Sequence, residues 1–154
     1  MTPVVSRSNI LKVSPELKNA LEAAGRKERF SPSQRLFQEE GGNVGVFLVT
    51  KGKVCMSVKD LPKLDRTFSV ASLLGLPSTF TSHSYSLTAT AATEVDAVHV
   101  SQEDFLRIMK EQSELCREAM EMLGREVSFI QGALSERRKQ LAARKLSLSE
   151  ALVS

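Results

Sequence analysis

The sequence predicts a mainly β domain with helices, on three observations. Apolar side chains fall on alternate positions at Val46 and Leu48, at Val54, Met56 and Val58, and again at Val98 and Val100. Two-residue alternation belongs to strands with one face in a core. From Ser101 the spacing changes to steps of three and four and holds as far as Leu141, and such steps gather on one side only in a helix. The chain of 154 residues, 42% apolar and 25% charged, can bury one core and has little left for a second.

Residues 9–25 read as a helical lead-in, because Leu11, Leu17, Ala20, Leu21 and Ala24 lie near helical spacing and Gly25 ends the run. Ser31-Pro32-Ser33 is a turn cluster. Arg35–Gln38, Gly45–Thr50 and Lys53–Lys59 read as short strands, with Lys51-Gly52 as a tight hairpin between the last two. Asp60–Arg66 holds Pro62 and several charges and reads as a surface connection, followed by the apolar stretch Phe68–Leu76. Residues 77–93 carry Pro77 and a dense run of Ser and Thr, a composition of loop backbone and edge strands. Glu94–Val100 is the last strand.

Ser101-Gln102-Glu103-Asp104 offers the next helix a hydroxyl cap and acidic residues, placed where the helix dipole favours negative charge. Phe105, Ile108 and Met109 form its buried stripe. A break near Glu111–Ser113 precedes a second helix on which Cys116, Met120, Leu123, Val127, Ile130 and Leu134 alternate in steps of four and three. A seam that long projects beyond a small domain and is expected to pack on its own copy as a parallel coiled coil. The chain divides accordingly into a helix-and-β domain over 1–110, a long dimerisation helix over 111–145 and a tail over 146–154.

Charge and motif content exclude several classes of function. The net charge of +3 sits wholly in residues 135–154, where five basic residues face two acidic ones, so the first 134 residues are neutral. A basic stretch on an exposed helix is usually a solvated face, and direct DNA binding is not expected. No apolar run approaches the roughly 20 residues of a membrane span, and the N-terminus lacks a secretory pattern, so a cytoplasmic protein is expected. Cys55 and Cys116 read as free thiols on a strand and a helix. His83 and His99 are the only histidines and have no nearby third ligand, so no metal centre is expected. Neither a phosphate-binding Gly-Lys-Ser/Thr loop nor a Gly-x-Ser-x-Gly elbow is present, and only His83 lies near the serines of 78–88 as a base; an enzyme is not expected.

The segment LFQEEGGNVGVFLVTKGKVCMSV, residues 36–58, resembles the opening of the cyclic-nucleotide-binding domain of the catabolite-activator and fumarate-nitrate-regulator family. Leu36, Phe37, Gly42, Val46, Leu48, Gly52, Val54 and Val58 carry the likeness. It continues through SLLGLP (72–77), SYSLTA (84–89), EVDAVHV (94–100) and SQEDFLRIM (101–109), and covers about residues 30–140. The resemblance implies a double-stranded β-helix, a jelly-roll-like β-roll of eight strands. It also implies a phosphate-binding cassette in the middle and a long C-terminal helix that both dimerises and covers the ligand. It implies no resident cofactor beyond a cyclic nucleotide or another small effector.

In that family a Glu of the cassette accepts the ribose hydroxyl and an Arg neutralises the cyclic phosphate. Here the Glu position falls on Leu73, and the Arg position on Tyr85, or on His83 in another alignment, with Ser86 or Ser84 as the hydroxyl neighbour. No Lys or Arg occurs from Thr67 to Leu106. By the resemblance, Leu73, Gly75, Leu76, Ser78 and Thr79 shape the pocket with His83, Ser84, Tyr85 and Ser86, under a roof at Val127, Ile130 and Gln131. Three possibilities stay open: a pocket for a small ligand held by hydroxyls and amides, a closed pocket on an effector-free interaction module, or the sensory half of a transcription regulator. The family's helix-turn-helix domain has no counterpart after Lys145.

Overall fold

The computed structural model describes residues 10–59, 65–85 and 87–153. Helix α1 (Pro15–Ala24) starts with proline after Ser14, whose Oγ accepts from the Leu17 N–H at 3.2 Å. It therefore begins six residues later than the apolar spacing alone suggested. The Ser14 N–H and Oγ–H also donate to the two carboxylate oxygens of Glu118, at 2.7 and 2.6 Å, which ties the start of α1 to the last helix.

Eight strands follow: β1 (Arg26–Phe30), β2 (Arg35–Phe37), β3 (Val46–Lys51), β4 (Val54–Ser57), β5 (Arg66–Phe68), β6 (Leu73–Leu74), β7 (Thr88–Ala91) and β8 (Val95–Val100). They form two antiparallel four-stranded sheets, in the orders β1-β8-β3-β6 and β2-β7-β4-β5. Chain neighbours β3 and β4 lie in different sheets. Lys51-Gly52 is thus a crossing between sheets and not the hairpin that its length suggested. Gly52 has φ +88°, and a Cβ there would lie 2.1 Å from the Glu94 carbonyl oxygen, because the β7–β8 connection crosses beside it. The Lys53 N–H donates to Thr93 Oγ1, and the Ala92 N–H to the Lys53 carbonyl, binding the two crossings together.

Strand β1 went unrecognised in the sequence. Its Arg26-Lys27-Glu28-Arg29 buries only the following Phe30, and it pairs only with β8, so it is a charged sheet edge without apolar alternation. The core lies between the sheets, with Leu48, Met56, Phe68, Leu73, Leu74 and Phe105 among its fully buried side chains. Each contributes on the order of 1.5–3 kcal/mol by leaving water.

The Ser-rich stretch expected as loop and edge strand contains a short helix, α2 (Leu76–Thr81). Helix α3 (Gln102–Glu111) is capped by Ser101, whose Oγ accepts from the Asp104 N–H, and buries Phe105, Ile108 and Met109. Gln112 breaks the run where the sequence placed the break, and α4 spans Ser113–Val153, so the segment set apart as a tail is helical to Val153. The face that α4 lays on the roll is Leu115, Ala119, Met122 and Glu126. The apolar seam read from the sequence is the adjacent stripe: Met120 is 50% exposed, Cys116, Leu123 and Val127 are half-buried, and the Ile130 and Leu134 side chains lie outside the described residues. No helix among the described residues is long and apolar enough to cross a membrane.

Candidate functional site

The site forms where α2, the strand before it and the loop after it meet α4. Gly75 adopts φ +96° at the start of α2, and Ser82 adopts φ +60° at its end, so the chain leaves β6, makes one short helix and turns back toward β7. That turn carries Tyr85 inward to 3% exposure and leaves His83 and Ser84 outside. Phe37, Gly75, Pro77, Ser78, Tyr85, Leu87 and Glu126 enclose a cavity of about 10 Å³. A single water needs roughly that much. Two larger hollows, of about 450 and 400 Å³, are open surface grooves with mainly charged linings, one beside β1 and one between α1 and α4.

Of Tyr85 and His83, the two residues that the resemblance sets against the phosphate-binding Arg, Tyr85 is buried and His83 is exposed. The Tyr85 ring stacks on Phe37, with centroids 4.0 Å apart and planes at 16°. Its hydroxyl donates to the Gly45 carbonyl at 2.8 Å and accepts from the Val44 N–H at 3.0 Å. Burial pushes the phenol above its ordinary value, and the bonds to Val44 and Gly45 oppose that shift. Gly45 is compelled at its position: φ is +112°, and a Cβ would lie 2.1 Å from the Val100 carbonyl oxygen.

The cassette hydroxyls are committed to the protein itself. Ser78 Oγ donates to the His83 carbonyl and accepts from Asn43 Nδ2 at 2.6 Å. Thr79 Oγ1 donates to the Gly75 carbonyl at 2.8 Å and accepts from the same Asn43 amide at 3.2 Å. Asn43 Oδ1 in turn accepts from the Gly45 N–H. Neither hydroxyl proton points into the cavity.

Of the residues named from the sequence, Gly75, Ser78 and Tyr85 line the cavity. Leu73 and Leu76 are fully buried in the core, and Leu73 faces Leu48 across the β3–β6 pair. Thr79 is buried on α2, Val127 is half-buried and Gln131 is exposed. Ser86 lies outside the described residues. Sequence reasoning missed Phe37, Pro77, Leu87 and Glu126. The signal for Glu126 was present: it continues the four-three-four spacing of Leu115, Ala119 and Met122, the stripe one residue ahead of the apolar seam. Glu126 is 2% exposed, its Oε1 has no hydrogen-bond partner among the described residues, and burial pushes its carboxyl up to about 8.

Outside the cavity, His99 packs on Phe47, with centroids 4.7 Å apart, and its Nδ1 meets Glu28 Oε2 at 3.0 Å; it is a strand histidine with partners. Among the described residues no three of His, Cys, Asp and Glu converge as metal ligands would. The arrangement offers stacking, hydrogen bonding and one buried acid, which is the chemistry of binding.

The family model for the cyclic nucleotide-binding domain matches residues 27–112, more than half of the chain. The chain belongs to the cyclic nucleotide-binding domain family. Solved structures share its fold across most of its length. One, from a cyclic-GMP-dependent signalling pathway that regulates bacterial phytopathogenesis, is 17% identical with a TM-score of 0.66, over 79% of this chain and 96% of that one. The catabolite activator protein of Thermus thermophilus is 19% identical with a TM-score of 0.59, over 90% of this chain and 61% of the other. Oxidized CprK in complex with o-chlorophenolacetic acid is 12% identical with a TM-score of 0.64, over 88% of this chain and 57% of the other. The chain thus spans about three fifths of the last two proteins. No curated protein matches the sequence.

Proposed function

We propose that this chain is an effector-sensing regulatory domain that acts as a cytoplasmic homodimer through α4, and that its pocket does not hold a cyclic phosphate. The observation that carries the proposal is Tyr85, a neutral ring locked by two hydrogen bonds where the family needs a cation. Leu73, at the position of the ribose-binding Glu, is core. Each charge-assisted bond forgone removes about 1.5–3 kcal/mol, a factor of ten or more in affinity apiece.

Two features favour sensing over an inert module. Helix α4 lays Met122 and Glu126 on the roll and cassette, while its next stripe shows Met120 to solvent. One rigid element therefore touches both the pocket and the proposed dimer seam, and a ligand that displaces Tyr85 biases how two copies of α4 meet. The fold also serves CprK, whose ligand, o-chlorophenolacetic acid, is no nucleotide. An effector-free dimerisation module is the second reading, favoured by how little space the cavity holds. In either case the role is one of regulation, as in the sensory part of a transcription regulator.

Calorimetric titration with cyclic AMP and cyclic GMP tests the proposal. Dissociation constants weaker than about 10 μM are expected for both. Binding of either tighter than about 10 μM would defeat it.

A further inference from the structure

Glu126 is the one group in the pocket without a structural reason. Leu115, Ala119 and Met122 show what this face of α4 otherwise contributes, which is apolar packing. An acid in their row loses its hydration and gains no partner: Oε1 is unbonded among the described residues, and the side chain is 98% removed from solvent and lines the cavity. Tyr85 is the only other titratable group among the described residues that face it from β2, α2 and the loop before β7, and the Tyr85 hydroxyl is bonded to Val44 and Gly45. The cassette supplies no cation, since Thr67 to Leu106 holds no Lys or Arg. Among the described residues the carboxylate has no partner, and Arg66, the cation that approaches α4 near it, lies over the Phe129 ring at 5.5 Å.

Resting on the reading that this site holds no cyclic phosphate, we propose that Glu126 anchors a flat organic cation, an amidinium or guanidinium group carried on an aromatic or apolar body. The planar N–H fork of such a group pairs both oxygens of a carboxylate. Its body takes the slot that the Tyr85 ring now fills, stacking on Phe37 as Tyr85 does. The cavity, about 10 Å³, admits no ring, so entry displaces the Tyr85 side chain. The pocket thereby selects the charge opposite to that of a cyclic nucleotide. The empty pocket holds Glu126 protonated, its carboxyl pushed up to about 8, and pairing with a cation ionises it. The proton passes to solvent.

The test is calorimetry on the full chain with benzamidine and with benzoate, an anion of the same shape, at pH 6 and pH 8 in buffers of different ionisation heat. Benzamidine is expected to bind with release of about one proton at pH 6 and about half a proton at pH 8, its affinity rising about tenfold per pH unit well below pH 8. Benzoate is expected not to bind. Glu126→Gln keeps the shape of the side chain and is expected to weaken benzamidine at least tenfold and to abolish the pH dependence, with an unchanged circular dichroism spectrum. Tyr85→Ala empties the slot and is expected to strengthen binding. Silent benzamidine, equal binding of benzoate, or unchanged affinity in Glu126→Gln would each overturn the inference. Cyclic AMP and cyclic GMP titrated in parallel separate the two levels: if they bind, the underlying reading fails; if they and benzamidine are all silent, only the cation site fails.

Discussion

At the scale of single residues, the pocket is governed by a hydroxyl that is satisfied and a carboxyl that is not. Tyr85→Phe leaves the Val44 N–H and Gly45 C=O without their side-chain partner while keeping the ring on Phe37. A loss of about 1–3 kcal/mol is expected in urea unfolding. Glu126 makes stability depend on pH, with a definite sign. Its carboxyl pKa rises from 4.5 to about 8 on folding, so between those values the folded chain holds a proton that the unfolded chain releases. Stability is therefore highest below that window and falls as pH climbs through it, by at most about 1.4 kcal/mol per pH unit. Urea midpoints from pH 5 to 8 are expected to drop in the native protein and to hold nearly level in Glu126→Gln; equal slopes would contradict the burial of an acid. Tyr85 was legible in the sequence through its place in the family pattern. Glu126 was missed although it continues the spacing of Leu115, Ala119 and Met122, because a lone acid on a helix reads as solvated until that stripe is known to face the roll.

Elements were legible where a local rule decides them and obscure where pairing partners do. Ser101 and the acidic turn after it announced α3, and Gln112 fell inside the break read between the helices. Strand β1 gave no alternation because it is a charged edge. Lys51-Gly52 satisfied the local rule for a hairpin, yet the choice between pairing and crossing rests on β7 and β8, some 40 residues further on. The crossing is sterically exacting. Gly52→Ala, with φ +88° and a Cβ 2.1 Å from the Glu94 oxygen, is expected to cost about 2 kcal/mol or more in thermal or urea unfolding. On α4 one stripe packs on the roll and the next shows Met120 to solvent. Met120, half-exposed in the single chain, is expected to matter only between copies. Met120→Glu should shift the mass in light scattering from dimer to monomer with an unaltered far-ultraviolet spectrum; a persisting dimer would remove α4 as the seam.

For the whole molecule, the resemblance implied a roll of eight strands, but their order in the two sheets was not read from the sequence, since alternation says which face is buried but not which strand lies beside which. That architecture is shared across the family. The chain has the family's frame, and at Tyr85 it carries a buried ring bonded to its own backbone. The chain has a single tyrosine and no tryptophan, so its near-ultraviolet tyrosine band reports on the plug alone. Following that band while cyclic AMP or cyclic GMP is added addresses the central claim most directly. The closed pocket predicts a band unchanged up to about 100 μM nucleotide, whereas a saturable change with a midpoint of a few micromolar would show Tyr85 giving way to a cyclic phosphate and contradict it.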